Sequence, residues 1–193
     1  MDTMEQSDEE LMKAYQEGEE EAMSVIFRRY QKKIFNFALR FLGHRADAED
    51  ATADVFLSLM KSGTSYQPEA KFSTWLYTIA RNACISRLRR RKNIFSLSFK
   101  KASEENSEWE IPDIKTPDEE AHQKDVAMQI KNAIQNLPVS QKETLILRGY
   151  HALSYEEISK ITGHTLENVK VLIFRAREQL RQDLGSLLQE VQS

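Results

Sequence analysis

Two runs of cations are the residues best placed to do chemistry, and the chemistry is anion binding. Arg87 to Lys92 places five bases in six residues. Residues 81–101 hold eight (Arg81, Arg87, Arg89, Arg90, Arg91, Lys92, Lys100, Lys101) and no acid. Like charges crowded on one helix end repel unless something anionic neutralises them, and a phosphate backbone does so. Further on, Lys170, Phe174, Arg175 and Arg177 lie off an apolar stripe or at its edge, available for DNA. Residue types for covalent or metal chemistry are scattered. His44, His122, His151 and His164 have no ligand spacing, and there is no H-E-x-x-H, C-x-x-C or glycine-rich phosphate loop. Cys84 falls inside a predicted helix, as a packed thiol would. No catalytic residue, metal site or cofactor is expected.

Charge segregation runs through the whole chain. The net charge is −3, from 30 acids and 27 bases, but it conceals blocks. Residues 1–27 carry nine acids and one base, 28–46 carry six bases and no acid, and 102–125 carry nine acids and two bases. The steep alternation implies either two different partners or blocks that neutralise each other. The N-terminus is acidic with no apolar segment behind it, and the lone cysteine excludes an internal disulfide. A cytoplasmic protein without membrane insertion is the expectation.

The elements that position these groups read as helices. Only 6 Gly and 4 Pro punctuate 193 residues, too few for the turns of a sandwich or barrel. Ser7 and Glu10 form a capping box that opens a short helix ended by Gly18. A second helix spans about 19–41, with Ile26, Ile34, Phe37 and Phe41 among its apolar set, and Gly43 stops it. Asp47 can cap a third, to about Lys61, and a fourth runs from Ser73 to about Lys92 after a loop. Residues 96–125 lose periodicity and read as an acidic flexible linker, and helices resume near Asp125. Ser154 and Glu157 make a second capping box, Gly163 a turn, and Thr165 caps a last helix. Two helices joined by a short turn containing Gly match a helix-turn-helix, in which the second helix meets base edges. An ordinary helical hairpin with solvated cations is the alternative.

Taken together, the two halves resemble the bacterial sigma-70 family of RNA polymerase sigma factors, in its extracytoplasmic-function (ECF) group. Phe72-Ser73-Thr74-Trp75-Leu76-Tyr77-Thr78-Ile79-Ala80-Arg81-Asn82 is similar to that group's F-x-T-W-L-x-x-I-A-x-N. Leu153-Ser154-Tyr155-Glu156-Glu157-Ile158, with Val169 to Arg177, is similar to its helix-turn-helix signature. The resemblance implies an all-α protein of two small domains: a sigma2-like four-helix domain (1–95) and a sigma4-like helix-turn-helix domain (126–193), joined by the linker 96–125. It implies a promoter-specificity subunit that binds core RNA polymerase through the β′ clamp helices and β flap, and is restrained by an anti-sigma factor. Asp47, Asp50, Asp54 and Phe56 would face the clamp. Tyr66, Phe72, Trp75, Arg81, Asn82, Arg87, Arg89, Arg90 and Arg91 would meet the −10 element. Lys170, Val171, Phe174, Arg175 and Arg177 would meet the −35 element.

Physical reasoning fits this picture. A stacked base hides its edges, so a melting protein pairs an aromatic platform with a polar reader. Tyr66, Phe72 and Trp75 supply rings, Asn82 an amide, and the arginines phosphate contacts. Core packing is the competing role for Phe72, Trp75 and Tyr77. Linker residues 102–125 could reach roughly 80 Å, beyond the roughly 70 Å between promoter elements two helical turns apart. They would serve as a spacer or thread a cationic channel in the polymerase. A stand-alone helix-turn-helix regulator is the alternative function, and it leaves the aromatic and basic fourth helix unexplained.

Overall fold

The structure, a computed structural model, describes residues 6–63, 66–67, 71–97 and 117–185. Eight helices and no strand occur among them: α1 (Asp8–Gln16), α2 (Glu20–Leu42), α3 (Arg45–Gly63), α4 (Phe72–Leu97), α5 (Pro117–Asn136), α6 (Val139–Gly149), α7 (Tyr155–Thr162) and α8 (Leu166–Asp183). Both capping boxes form. Ser7 Oγ accepts from Glu10 N (3.2 Å) while Ser7 N donates to Glu10 Oε2 (2.7 Å), and Ser154 with Glu157 repeats the pattern at 3.1 and 2.8 Å. Each box satisfies two backbone N–H groups that a helix start would otherwise leave unpaired.

Around α2 the N-terminal half is organised as periodicity demands. Ile26, Ile34, Phe37 and Phe41 are fully buried. On α4 the four-residue stripe Phe72, Leu76, Ala80, Cys84 is fully buried against it, and α3 adds Ala51, Val55 and Leu59. Leu11 and Met12 anchor α1 on the same core. Truncating a ring such as Phe37 to Ala here costs about 3–5 kcal/mol.

Element boundaries depart from expectation in three places. α4 continues to Leu97, five residues beyond Lys92. α5 begins at Pro117, inside the stretch that reads as linker by sequence. Proline punctuates a loop by sequence, yet its fixed φ and missing N–H suit the first turn of a helix. Asp47 sits within the first turn of α3, which starts at Arg45, and is not its cap. The central part of the acidic stretch, 98–116, lies outside the described residues.

The structure also brings the two halves together, which no pattern in the sequence addressed. α2 packs on α5 and α6, and α4 packs on α7, so a single apolar cluster runs from Leu11 to Ile173. The seam is partly polar. Arg81 on α4 grips Glu143 on α6 (Nε–Oε2 2.7 Å, Nη2–Oε1 3.2 Å), and Lys71 reaches Glu157 (2.9 Å). Tyr77 Oη and His151 Nδ1 are 2.7 Å apart. Gln135 donates to the Arg40 carbonyl (2.6 Å). Its side chain lies so close to Gly43, itself at φ 80°, that a Cβ there would fall 2.8 Å from Gln135 Cδ. Glycine at 43 thus serves both the left-handed helix end and the close approach of the halves.

Candidate nucleic-acid and protein interfaces

At the C-terminal end, α7 and α8 are joined by Gly163 at φ 75° and capped by Thr165, whose Oγ1 accepts from Asn168 N (3.2 Å). Ile158, Ile161, Val169 and Ile173 are buried in the shared apolar cluster, and Ala176 packs in a smaller one with Leu137 and Leu145. The opposite face of α8 carries Lys170, Val171, Phe174, Arg175 and Arg177, all exposed. Phe174 is 65% exposed and stands with the exposed Val171 among these cations. All five residues expected at the −35 element therefore share one open face.

The residues expected at the −10 element divide into several environments. Tyr66, Phe72 and Trp75 gather into one aromatic cluster, with centroid distances of 4.8 Å (Tyr66–Trp75), 5.9 Å (Tyr66–Phe72) and 6.0 Å (Phe72–Trp75). Phe72 is its floor, fully buried and stacked edge-on against Tyr30, so it packs the core and supports the platform. Tyr66 is also mostly buried, and Trp75 is half-buried. Burial, then the Glu9 and Asp8 carboxylates, pushes the Tyr66 hydroxyl pKa up. Asn82 lies two turns further along α4, about 10 Å away by helical rise. It is exposed in a separate cleft of about 340 Å³, lined also by Asp54, Ser58, Ile79, Ser86, Arg87 and Arg90.

The arginines separate as sharply. Arg89 and Arg90 are exposed. Arg87 bridges Asp50 (3.1 Å) and Asp54 (2.6 Å) on α3, and Arg91 approaches Asp47 (3.8 Å). The three aspartates expected to face polymerase are thus partnered by arginines expected to face DNA. Arg81 is turned toward Glu143, whose side chain is 1% exposed. His164 Nε2 stands 3.5 Å from the same carboxylate.

Phe56 is buried against Phe27, ring centroids 4.7 Å apart. Phe27 (43%) and Met60 (51%) stand exposed in a groove of about 520 Å³ between α1, α2 and α3, and Leu57 (55%) is exposed elsewhere on α3. Sequence reasoning named Phe56 but not Phe27 or Leu57. Their signal was available as apolar residues off the core-facing stripe. Glu143 and His151 were missed for lack of any local signal. Burial, aided by Arg40 and Lys33, pushes the His151 pKa down to about 4. Burial raises the Cys84 thiol to about 12, which keeps it protonated and inert. Among the described residues no His, Cys, Asp or Glu cluster could hold a metal ion. Among them, too, no helix is long and apolar enough to cross a membrane.

The Sigma-70 region 2 family model matches residues 26–94, and the Sigma-70, region 4 model matches residues 127–180. The chain belongs to the sigma-70 family. The ECF RNA polymerase sigma factor SigW of Bacillus subtilis is 30% identical over 179 residues, spanning 91% of this chain and 96% of that one. The RNA polymerase sigma-H factor of Pseudomonas aeruginosa is 29% identical over 188 residues, 96% and 97% of the two chains. Two solved structures share the fold. One is the sigma factor RpoE with the anti-sigma factor NepR from Bartonella quintana (TM-score 0.71, 23% identity, 84% of this chain and 96% of that one). The other is CnrH with the cytosolic domain of CnrY (TM-score 0.69, 19% identity, 97% and 100%). With both sigma-70 regions present in order, and relatives of the ECF group matching end to end, the chain is a polymerase sigma subunit. Region 2 spans most of α2, all of α3 and most of α4; region 4 holds the helix-turn-helix.

Proposed function

We propose that this sigma-70 protein brings core RNA polymerase to promoters by two DNA contacts of different kind. The carrying observation is the open face of α8, where Lys170, Val171, Phe174, Arg175 and Arg177 lie together on the second helix of a helix-turn-helix. That face enters the major groove of the −35 element, with Arg175 as the bidentate reader and neighbouring cations on phosphates. Trp75, half-exposed and backed by Tyr66 and the buried Phe72, acts with Asn82 and the exposed Arg89 and Arg90 to capture the unpaired −10 strand by stacking and charge. The α3 face bearing Asp47, Asp50 and Asp54, with the exposed Leu57 and Met60 beside it, meets the β′ clamp helices, and the region 4 helices meet the β flap. An anti-sigma factor is the expected antagonist, supported by the complexes in which the two structural neighbours were captured. The protein works in the cytoplasm alongside polymerase and contributes no covalent chemistry of its own.

In the arrangement seen here Arg81 is occupied by Glu143, so α4 must part from α6 before Arg81 can serve DNA. The decisive experiment is run-off transcription of genomic fragments by core polymerase with and without the protein. New, discrete transcripts are expected. Identical transcript sets, together with palindromic DNA binding by the protein alone, would instead mark a stand-alone regulator.

A further inference from the structure

The region 2 match begins at residue 26, after the end of α1. α1 nevertheless delivers three polar side chains to the aromatic cluster of region 2. Gln16 Nε2 donates to the Gly63 carbonyl and to the Tyr66 carbonyl, both at 2.8 Å. Glu9 Oε1 accepts from Phe72 N at 2.8 Å, satisfying a backbone N–H that the start of α4 would otherwise leave unpaired. Asp8 accepts from Tyr30 Oη (2.5 Å) and from Arg29 Nη1 (2.8 Å), and the Tyr30 ring stands edge-on to Phe72 at 5.5 Å. The contact is close. A Cβ on Gly63 would lie 3.1 Å from the Tyr15 ring and 3.2 Å from Met12.

These contacts are not what holds α1 on the protein. Leu11 and Met12, both fully buried, do that, while Gln16 is exposed overall. The polar set fixes the backbone on both sides of the rings: Tyr66 from Gln16, Phe72 from Glu9. We propose that α1 is the positioning element of the strand-capturing platform, with Gln16 and Glu9 as positioning residues that hold Tyr66, Phe72 and Trp75 in one geometry before the strand arrives. The proposal rests on the assignment of that platform to the −10 strand. Stacking onto rings already held in place avoids the ordering cost that a loose platform would incur on binding.

The chemistry at Gln16 is donor-only, because both partners are carbonyl oxygens and the amide nitrogen has two hydrogens. That gives a specific test. Full-length protein carrying Gln16→Ala, Gln16→Glu or Gln16→Lys is assembled with core polymerase. Each holoenzyme is titrated with a single-stranded non-template −10 oligonucleotide and with a duplex −35 fragment, both from the strongest run-off promoter. Single-strand affinity should fall about tenfold for Ala and Glu, while Lys, which keeps donors and lacks an acceptor, stays within about twofold of wild type. The −35 affinity and core polymerase affinity should be unchanged in all three, and the melting temperature of the Ala and Glu variants should fall by no more than a few degrees. Equal single-strand binding by every variant overturns the proposal. So does Lys failing as Ala does, or a parallel loss of melting temperature and polymerase binding, which would mark plain scaffolding. If wild-type holoenzyme does not capture the single strand at all, the platform assignment itself falls.

Discussion

The two basic surfaces of this sigma factor, at the end of α4 and on α8, are built alike in sequence and differently in space. On α8 Lys170, Arg175 and Arg177 are exposed around an exposed Phe174, and among the described residues the carboxylate that feels them is Glu156 on α7, which Lys170 helps to keep ionised. On α4 three of the five basic positions expected at DNA face acids: Arg81 on Glu143, Arg87 on Asp50 and Asp54, Arg91 on Asp47. Only part of a cationic run is therefore open to phosphate, and which part depends on the helices packed beside it. The α8 surface is ready-made. The α4 surface is shared between DNA and the protein's own carboxylates.

The most forceful way to break this contrast is to remove Arg81. Glu143 would be left buried beside His164, and Arg81→Ala should cost about 3–5 kcal/mol in denaturant unfolding. Arg89→Ala, on the exposed side of the same helix, should cost almost nothing. The double variant Arg81→Ala with Glu143→Gln should recover much of the loss, since no buried charge remains. Comparable midpoints for the Arg81 and Arg89 single variants would mean that the seam carries no buried pair.

Next in size is the distinction between reading and holding. Arg175→Ala should cost about 1–3 kcal/mol at promoters with the preferred −35 base and flatten discrimination there. Arg89→Ala with Arg90→Ala should weaken holoenzyme binding to every promoter and reduce the slope of log K against log salt by about two units. A uniform loss from Arg175→Ala, with sequence preference intact, would make α8 a backbone clamp.

Acid should act on the seam between halves through His151. Its pKa is depressed in the fold to about 4 from an ordinary 6.5, so the neutral ring is the stable form and the unfolded chain takes up a proton first. Stability is fully present above about pH 6.5 and is lost as pH falls toward about 4. Between pH 7 and pH 5 this amounts to about 1–2 kcal/mol. His151→Asn should flatten that part of the stability–pH curve, and an unchanged curve would assign the acid sensitivity to the carboxylates.

The smallest effect sharpens the ready-made side of the comparison. Thr165→Ala removes the cap of α8 and should cost about 1 kcal/mol of thermal stability. It should leave the −35 sequence preference as it was, because the reading face itself is untouched.

Several features were legible in the sequence because they are local. The capping boxes at Ser7 and Ser154, the stops at Gly43 and Gly163, and the open face of α8 each depend on residues three or four apart, which a helix brings together by its own geometry. Boundaries at Pro117 and Leu97 were not legible, since a proline that opens a helix and one that breaks a loop look alike from neighbours alone. Nor did any local pattern distinguish Phe72, fully buried, from Trp75 three residues on and half-exposed. Both belong to one aromatic motif, and only the packing of α2 and Tyr30 against α4 separates floor from platform.

By itself, then, the sequence determined that the chain is helical, the caps at Ser7, Ser154 and Thr165, the helix-turn-helix and the family. Tertiary structure alone decided which charges are available. Arg81 meets Glu143 across 62 residues, Gln16 meets Tyr66 across 50 and Tyr77 meets His151 across 74. Pairings at such separations follow from how whole helices dock. Docking is driven by apolar burial, which is non-directional, so no residue-level code in the chain announces which acid a given arginine will find.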